Sequence, residues 1–287
     1  MGTRMKSLRN ILIVGVAGLG IAATAAWAAG EAPKIDRQNW SFSGMTGQFD
    51  RNQLQRGFQV YKTACASCHT INRIAFRNLA EPGGPQFPED AVKALAAEYQ
   101  VTGEPDGEGK PTKVPGKLSD RFPPLYANEK EARSIHNGAY PPDLSLMARA
   151  RGIETHAAWY IHPFLMLKDV AAGYQEGGAD YIYALLSGYS DPPSDVKMAE
   201  GMNYNRAFPG HQIAMAPPLS DGVVEYKDGT PSTVSNYARD VAAFLSWTAD
   251  PHHDRRKRLG WQVLLYLLIM SALLYMAKRR IWADVKH

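Results

Sequence analysis

The chain has 287 residues, 45% of them hydrophobic and 21% charged, a balance that supports at least one well-packed core and excludes a disordered or collagen-like polymer. Its formal charge of +4 is unevenly spread, because both ends are basic while residues 29 to 253 carry 21 basic and 26 acidic side chains, a net −5. No nucleic-acid partner is expected of an acidic body of this kind.

The N-terminus carries Arg4, Lys6 and Arg9, an apolar run from Ile11 to about Ala26, and the small-residue pattern Ala26-Trp27-Ala28. Residues 1–28 read as a secretory signal peptide, with an uncleaved anchor as the alternative, since the run is near the short limit for crossing a bilayer. Either way the following domain leaves the cytoplasm. Residues 29–49 are polar and aperiodic, an extended lead-in lying on the domain. From Asp50, a suitable N-cap, Leu54, Phe58 and Tyr61 recur at helical spacing. Gly57 weakens that helix, which suggests close approach of another backbone.

The helix leads into Cys65-Ala66-Ser67-Cys68-His69, which holds both cysteines of the chain. Two cysteines spaced by two and followed at once by histidine are the attachment pattern for a c-type haem: Cys65 and Cys68 form thioethers and His69 is an axial iron ligand. A thioredoxin-like site or half a zinc site shares the Cys-x-x-Cys spacing, but no second cluster of soft ligands follows. Haem c is attached outside the bacterial cytoplasmic membrane, in agreement with the export signal.

Helices are expected over Glu89 to Tyr99 and Asn128 to His136, with residues 102–117 a solvated loop containing Glu104, Asp106 and Glu108. Those acids suit either ordinary solubility or a surface that steers a basic partner. The segment Gly138 to Ser145 contains Pro141-Pro142 and excludes regular helix. A carbonyl of Pro141 or Pro142 can accept the Nδ1 proton of His69; the alternative is a plain turn with Asp143 capping the helix Leu146 to Arg151. Arg149 or Arg151 can neutralise a haem propionate, or both are surface arginines. Residues 154–174 are apolar and aromatic and are expected as a helical hairpin or loop patch against the domain or the membrane surface.

A helix is expected from Asp180 to Leu186, then a turn at Asp191-Pro192-Pro193. For the second axial ligand, Met166, Met198, Met202 and Met215 remain after the terminal and ill-placed methionines are set aside. Met215 is best placed, in a loop stiffened by Pro209, Pro217 and Pro218, with His211 the competitor and simple packing the bland outcome. A small hairpin is expected over Glu225 to Thr230, and an apolar helix from Val234 to Thr248, ended by Pro251, that flanks the haem pocket with the Gly57 helix. Leu259 to Ala277 carries no charge and is long enough to span a bilayer. With its basic flanks it makes residues 254–280 a C-terminal anchor and residues 281–287 a cytoplasmic tail, with Trp261 and Trp282 at the interfaces.

Several stretches resemble the cytochrome c1 family, in an α-proteobacterial form: CASCH at 65–69, PGKLSD at 115–120, NGAYPPDLS at 137–145, RAR at 149–151, GGADYIYALLSGY at 177–189, FPG at 208–210, IAMAPPL at 213–219 and the DGTPSTVSNYARDVAAFLSW segment before the span. The resemblance implies a mainly α, class I cytochrome c-like haem domain with long loops over residues 29–253, plus one transmembrane helix. It further implies Met215 as sixth ligand, Arg151 at a haem propionate, and residues 152–176 as an insertion. The activity implied is that of a single-haem subunit of quinol:cytochrome c oxidoreductase, the cytochrome bc1 complex. Such a subunit takes an electron from the Rieske iron–sulfur protein and passes it to a soluble or membrane-tethered cytochrome c, with no substrate chemistry of its own. It implies cytochrome b as a further partner, a dimeric complex, and a single-pass protein of the bacterial inner membrane with its haem domain in the periplasm. A free-standing anchored cytochrome, an oxidase subunit, or a gas-binding haem protein with an open distal site are the alternatives.

Overall fold

The computed structural model describes residues 33–153, 157–172 and 177–284. The expected signal peptide over residues 1–28, the two ends of the aromatic segment and the last three residues lie outside them. Among the described residues the chain is mainly helical, with two small two-stranded sheets.

The first helix, α1 (Arg51–Val60), starts where Asp50 accepts the Gln53 N–H at 2.8 Å, and it passes without a break into a π-helical turn, Tyr61–Cys65. A 3-10 turn (Phe76–Leu79) and α2 (Glu89–Ala97) follow. Next come the strands β1 (Gln100–Pro105) and β2 (Pro111–Pro115), paired antiparallel with Val101 opposite Val114. This corrects the expected solvated loop over residues 102–117. The Asp106 carboxylate accepts the N–H groups of Glu108 and Lys110 at 2.9 Å each, a side-chain turn that folds the strands together. With three prolines and a glycine in the strands, the alternation is too weak to read beforehand.

Two short helices follow, α3 (Glu129–Ile135), capped by Asn128, and α4 (Met147–Ala150). The described part of the aromatic segment is a 3-10 turn, Trp159–Ile161, and one helix, α5 (His162–Ala171), rather than a helical hairpin. Then come α6 (Gly177–Ser187), the short pair β3 (Asn203–Tyr204) and β4 (Gln212–Ile213), and α7 (Val234–Ala249). Residues 225–230 form a turn and no strand, a second correction. There Asp228 accepts the Thr230 N–H at 3.0 Å and Gly229 has φ +83°, and Pro231 next in the chain has no N–H to extend a ladder.

The core is organised on α7, whose Tyr237, Val241, Phe244 and Trp247 are fully buried. Its most extensive contacts are with α1 and α6. At the α1–α7 crossing a Cβ on Gly57 would stand 2.2 Å from the Asp240 carbonyl oxygen, so only glycine allows the two backbones this close. Beside the crossing, Arg56 binds the buried Asp240 carboxylate at 2.7 Å, and Phe58 and Tyr61 pack on Phe244. The lead-in enters this core instead of lying over it. Trp40 and Phe42 are buried, and the Trp40 indole N–H and the Gln38 N–H both donate to Asp180, at 2.7 and 2.9 Å.

The last helix, α8 (His253–Ile281), is long and apolar enough to cross a membrane, with mean hydropathy 1.8 over its most apolar window and none of that window buried. Its first turn is locked to the lead-in, where Lys257 Nζ donates to the carbonyls of Phe42 at 2.7 Å and Gly47 at 3.2 Å, and also to that of Gly44.

Candidate haem-binding site

The Cys-x-x-Cys-His segment hangs from the π turn at the end of α1. Widening by one residue lets the Ala66 N–H donate to the Tyr61 carbonyl at 2.9 Å, and the chain then folds back so that the Cys68 and His69 N–H groups both donate to the Cys65 carbonyl, at 3.1 and 2.9 Å. The Tyr61 hydroxyl donates to the His69 carbonyl at 3.1 Å, which fastens the turn to the core. Cys65 is buried, Cys68 and His69 partly so, and both thiols are free of any disulfide. Burial, with a smaller contribution from Cys68, pushes the Cys65 thiol up to about 12.

His69 Nδ1 lies 2.8 Å from the carbonyl of Pro142, so of the two prolines it is Pro142, not Pro141, that faces the ring. A carbonyl only accepts, so Nδ1 carries the proton and Nε2 keeps its lone pair for a metal. Burial lowers the His69 pKa, outweighing the Pro142 contact that raises it, and this favours the neutral imidazole a ligand must be. Two free thiols and an imidazole with one free nitrogen fit the thioether and axial-ligand chemistry of a c-type haem.

The Pro142 loop is held by hydrogen bonds to the residues after His69. Asp143 accepts the Asn72 N–H at 2.8 Å and the Ser145 N–H at 2.9 Å, Ser145 Oγ accepts the Arg73 N–H at 3.1 Å, and the Leu144 N–H donates to the Thr70 carbonyl at 2.8 Å. Asp143 therefore ties two loops together and does not cap α4, whose N-cap residue is Leu146. Sequence reasoning also missed Tyr126 and His136. The Tyr126 hydroxyl is 2.6 Å from His136 Nε2 and 3.5 Å from the Cys68 carbonyl, and neither residue belongs to a motif that announces it.

Met215 sits, partly buried, just after β4. Its carbonyl accepts the Tyr189 hydroxyl at 3.0 Å, and no hydrogen bond links it to the His69 turn. Burial raises the pKa of Tyr189, with Tyr181 adding to the effect. Burial raises the pKa of Tyr181 on α6 and the Arg151 charge lowers it, Arg151 itself being exposed at the end of α4. Arg149 instead binds Asp250 at 2.7 Å, near the base of α8. Of the other candidate methionines, Met198 is partly buried, while Met166 on α5 and Met202 before β3 are exposed. His211 has φ +60°, its ring stacks on Tyr204, and its Nδ1 is 3.2 Å from the Asn205 carbonyl.

Comparison with known proteins adds an independent line. The model of the Cytochrome C1 family matches residues 40–285. The chain is 46% identical over 276 residues to "Cytochrome c1" of Blastochloris viridis, covering 96% of this chain and 94% of that protein. It is 43% identical over 248 residues to "Cytochrome c1, heme protein, mitochondrial" of Saccharomyces cerevisiae, covering 86% of this chain and 72% of the relative. Against "Cytochrome b/c1" of Bradyrhizobium diazoefficiens the identity is 48% over 246 residues, 85% of this chain but 35% of the longer relative.

Proposed function

Because the chain belongs to the cytochrome c1 family, we propose that it is the haem-bearing electron-transfer subunit of a cytochrome bc1 complex, anchored to the membrane by α8. In this reading it takes one electron from the Rieske iron–sulfur protein and passes it to a cytochrome c. The observation that carries the reading is the contact of His69 Nδ1 with the Pro142 carbonyl, which leaves one oriented ring nitrogen beside two free thiols.

A haem c bound here supplies a one-electron Fe(III)/Fe(II) couple. Cys65 and Cys68 would hold it by thioethers, and His69 and Met215 would be its iron ligands. Asp143 and Ser145 keep Pro142 in place and so fix the plane of the His69 ring. Arg151, exposed at the end of α4, would neutralise a propionate. The relative named "Cytochrome b/c1" and a Candida albicans relative named "Cytochrome b-c1 complex catalytic subunit, mitochondrial" support cytochrome b as a partner. A dimeric complex in the bacterial inner membrane, with the haem domain on the periplasmic side, completes the proposal.

The test is a reduced-minus-oxidised spectrum of the complex purified through this chain in mild detergent, with quinol as reductant. Quinol-reducible c-type absorption accompanied by b-type bands is expected. A c-type haem that quinol does not reduce, in a preparation that retains its b-type bands, overturns the reading.

A further inference from the structure

The helix α5 is built the wrong way round for a helix on the surface of a water-soluble domain. At about 100° per residue, Met166, Val170, Pro163, Leu167, Ala171 and Phe164 fall in that order around one side, an unbroken apolar arc of about 160°. That arc faces outward, with Leu167 68% and Phe164 71% exposed. Leu165 and Asp169 are the half-buried positions of the helix, and Asp169 is held by Arg37 at 2.9 Å. Trp159, 83% exposed, and Tyr160 extend the arc at the N-terminal side. Such a surface needs a cover.

The cover is identified by where the helix ends. Val170 lines a shallow cleft with Gly44, Met45, Lys257, Gly260, Trp261 and Leu264. Gly260, Trp261 and Leu264 belong to the start of the apolar run of α8, so the outward face of α5 continues into the lipid-facing surface of the membrane helix. The Lys257 bonds to the carbonyls of residues 42–47 fix the body of the protein against that same turn, so α5 keeps its level relative to the span. A bilayer boundary at Trp261 also suits Trp159 and Tyr160, whose rings are apolar with one polar atom.

We propose that residues 159–171 form an interfacial helix that lies flat on the bilayer crossed by α8, with its apolar arc sunk into the boundary between headgroups and acyl chains on the side of the haem domain. The inference rests on the reading of α8 as a membrane span. It gives the inserted segment a task, a second membrane contact that sets the tilt of the domain over the lipid.

The test uses the intact complex reconstituted into phosphatidylcholine nanodiscs that contain a lipid with a photoactivatable diazirine on its acyl chain, followed by mapping of lipid adducts to peptides. Adducts on the 159–171 peptide as well as on the α8 peptides are expected, and Leu167→Glu, a change at an exposed position, should abolish the former and leave the latter. Adducts on α8 alone overturn the proposal, including the case in which protein cross-links show another subunit covering α5. Adducts on 159–171 that persist unchanged in Leu167→Glu also overturn it. Absence of adducts from α8 itself would instead remove the premise that α8 spans the bilayer.

Discussion

Gly57 on α1 and Asp240 on α7 meet backbone to backbone, so close that a single added methyl at Gly57 would stand 2.2 Å from the Asp240 carbonyl oxygen and 2.6 Å from Phe244 Cβ. Neither obstacle is the movable end of a side chain. Gly57→Ala must push the two helices apart, and because Phe58, Tyr61 and the π turn follow directly, the strain reaches the cysteine segment. A loss of about 3 kcal/mol or more is expected, since overpacking of a rigid crossing exceeds the usual 1–3 kcal/mol range. Heat denaturation of the purified protein in detergent measures it, and a midpoint equal to that of the unaltered protein would refute the crossing as drawn.

The neighbouring ion pair gives a second expectation. Asp240 is buried, with a side chain 4% exposed, and its partners are Arg56 at 2.7 Å and Gln53 at 3.2 Å. Arg56→Met leaves a buried carboxylate without its cation, at a cost of about 3 kcal/mol. In the double variant Arg56→Met/Asp240→Asn no charge is stranded, so most of the loss should be recovered. Equal destabilisation in the single and double variants would show that Arg56 acts by packing alone.

Asp228 supplies a pH test with a definite sign. The Thr230 N–H and hydroxyl, then Arg56, hold its carboxyl down to about 2, below the ordinary 3.8. A carboxyl lowered on folding adds stability that is fully present above its unfolded value and is lost as the pH falls through its folded value. Asp228→Asn should therefore be less stable than the parent above about pH 4, with the two curves converging as the pH falls towards 2. A constant difference across that window would remove Asp228 as the cause.

Met215→Leu is expected to lower the reduction potential and to open the ferrous protein to carbon monoxide, because leucine offers no donor atom. His211→Ala should do neither. Reversal of these two results would transfer the ligand role to His211. Redox titration of both variants, with carbon monoxide difference spectra, separates the cases.

What was legible in the sequence was local. The Asp50 cap, the Gly57 crossing and the Cys65 to His69 spacing are short-range patterns, and each maps onto one turn or one contact. The choice between Pro141 and Pro142 depended on which carbonyl points at His69, a matter of loop geometry that no spacing encodes. Asp143 looked like a helix cap because aspartate before a helix usually is one, yet its oxygens reach back to Asn72 as well as forward to Ser145. Asp180 and Trp40, 140 positions apart, had no reason to be paired before the fold existed. The hairpin at residues 100–115 was hidden by its prolines and by strands with few apolar side chains.

The π turn at Tyr61–Cys65 has a consequence for how the length of this chain can vary. The wide turn already absorbs one extra residue, so removing one there would restore ordinary helical winding and leave both cysteines and His69 facing nearly as they do. Adding a further residue, with no second widening to absorb it, would turn them by about 100° around the axis of α1. With Gly57 held by α7 and Tyr61 held through its hydroxyl, α1 has no freedom to rotate in compensation. Insertions should therefore be tolerated in the hairpin tip or the aromatic segment and rejected between Gly57 and His69, where the one length change that keeps the cysteines facing the same way is loss of the residue the π turn absorbs.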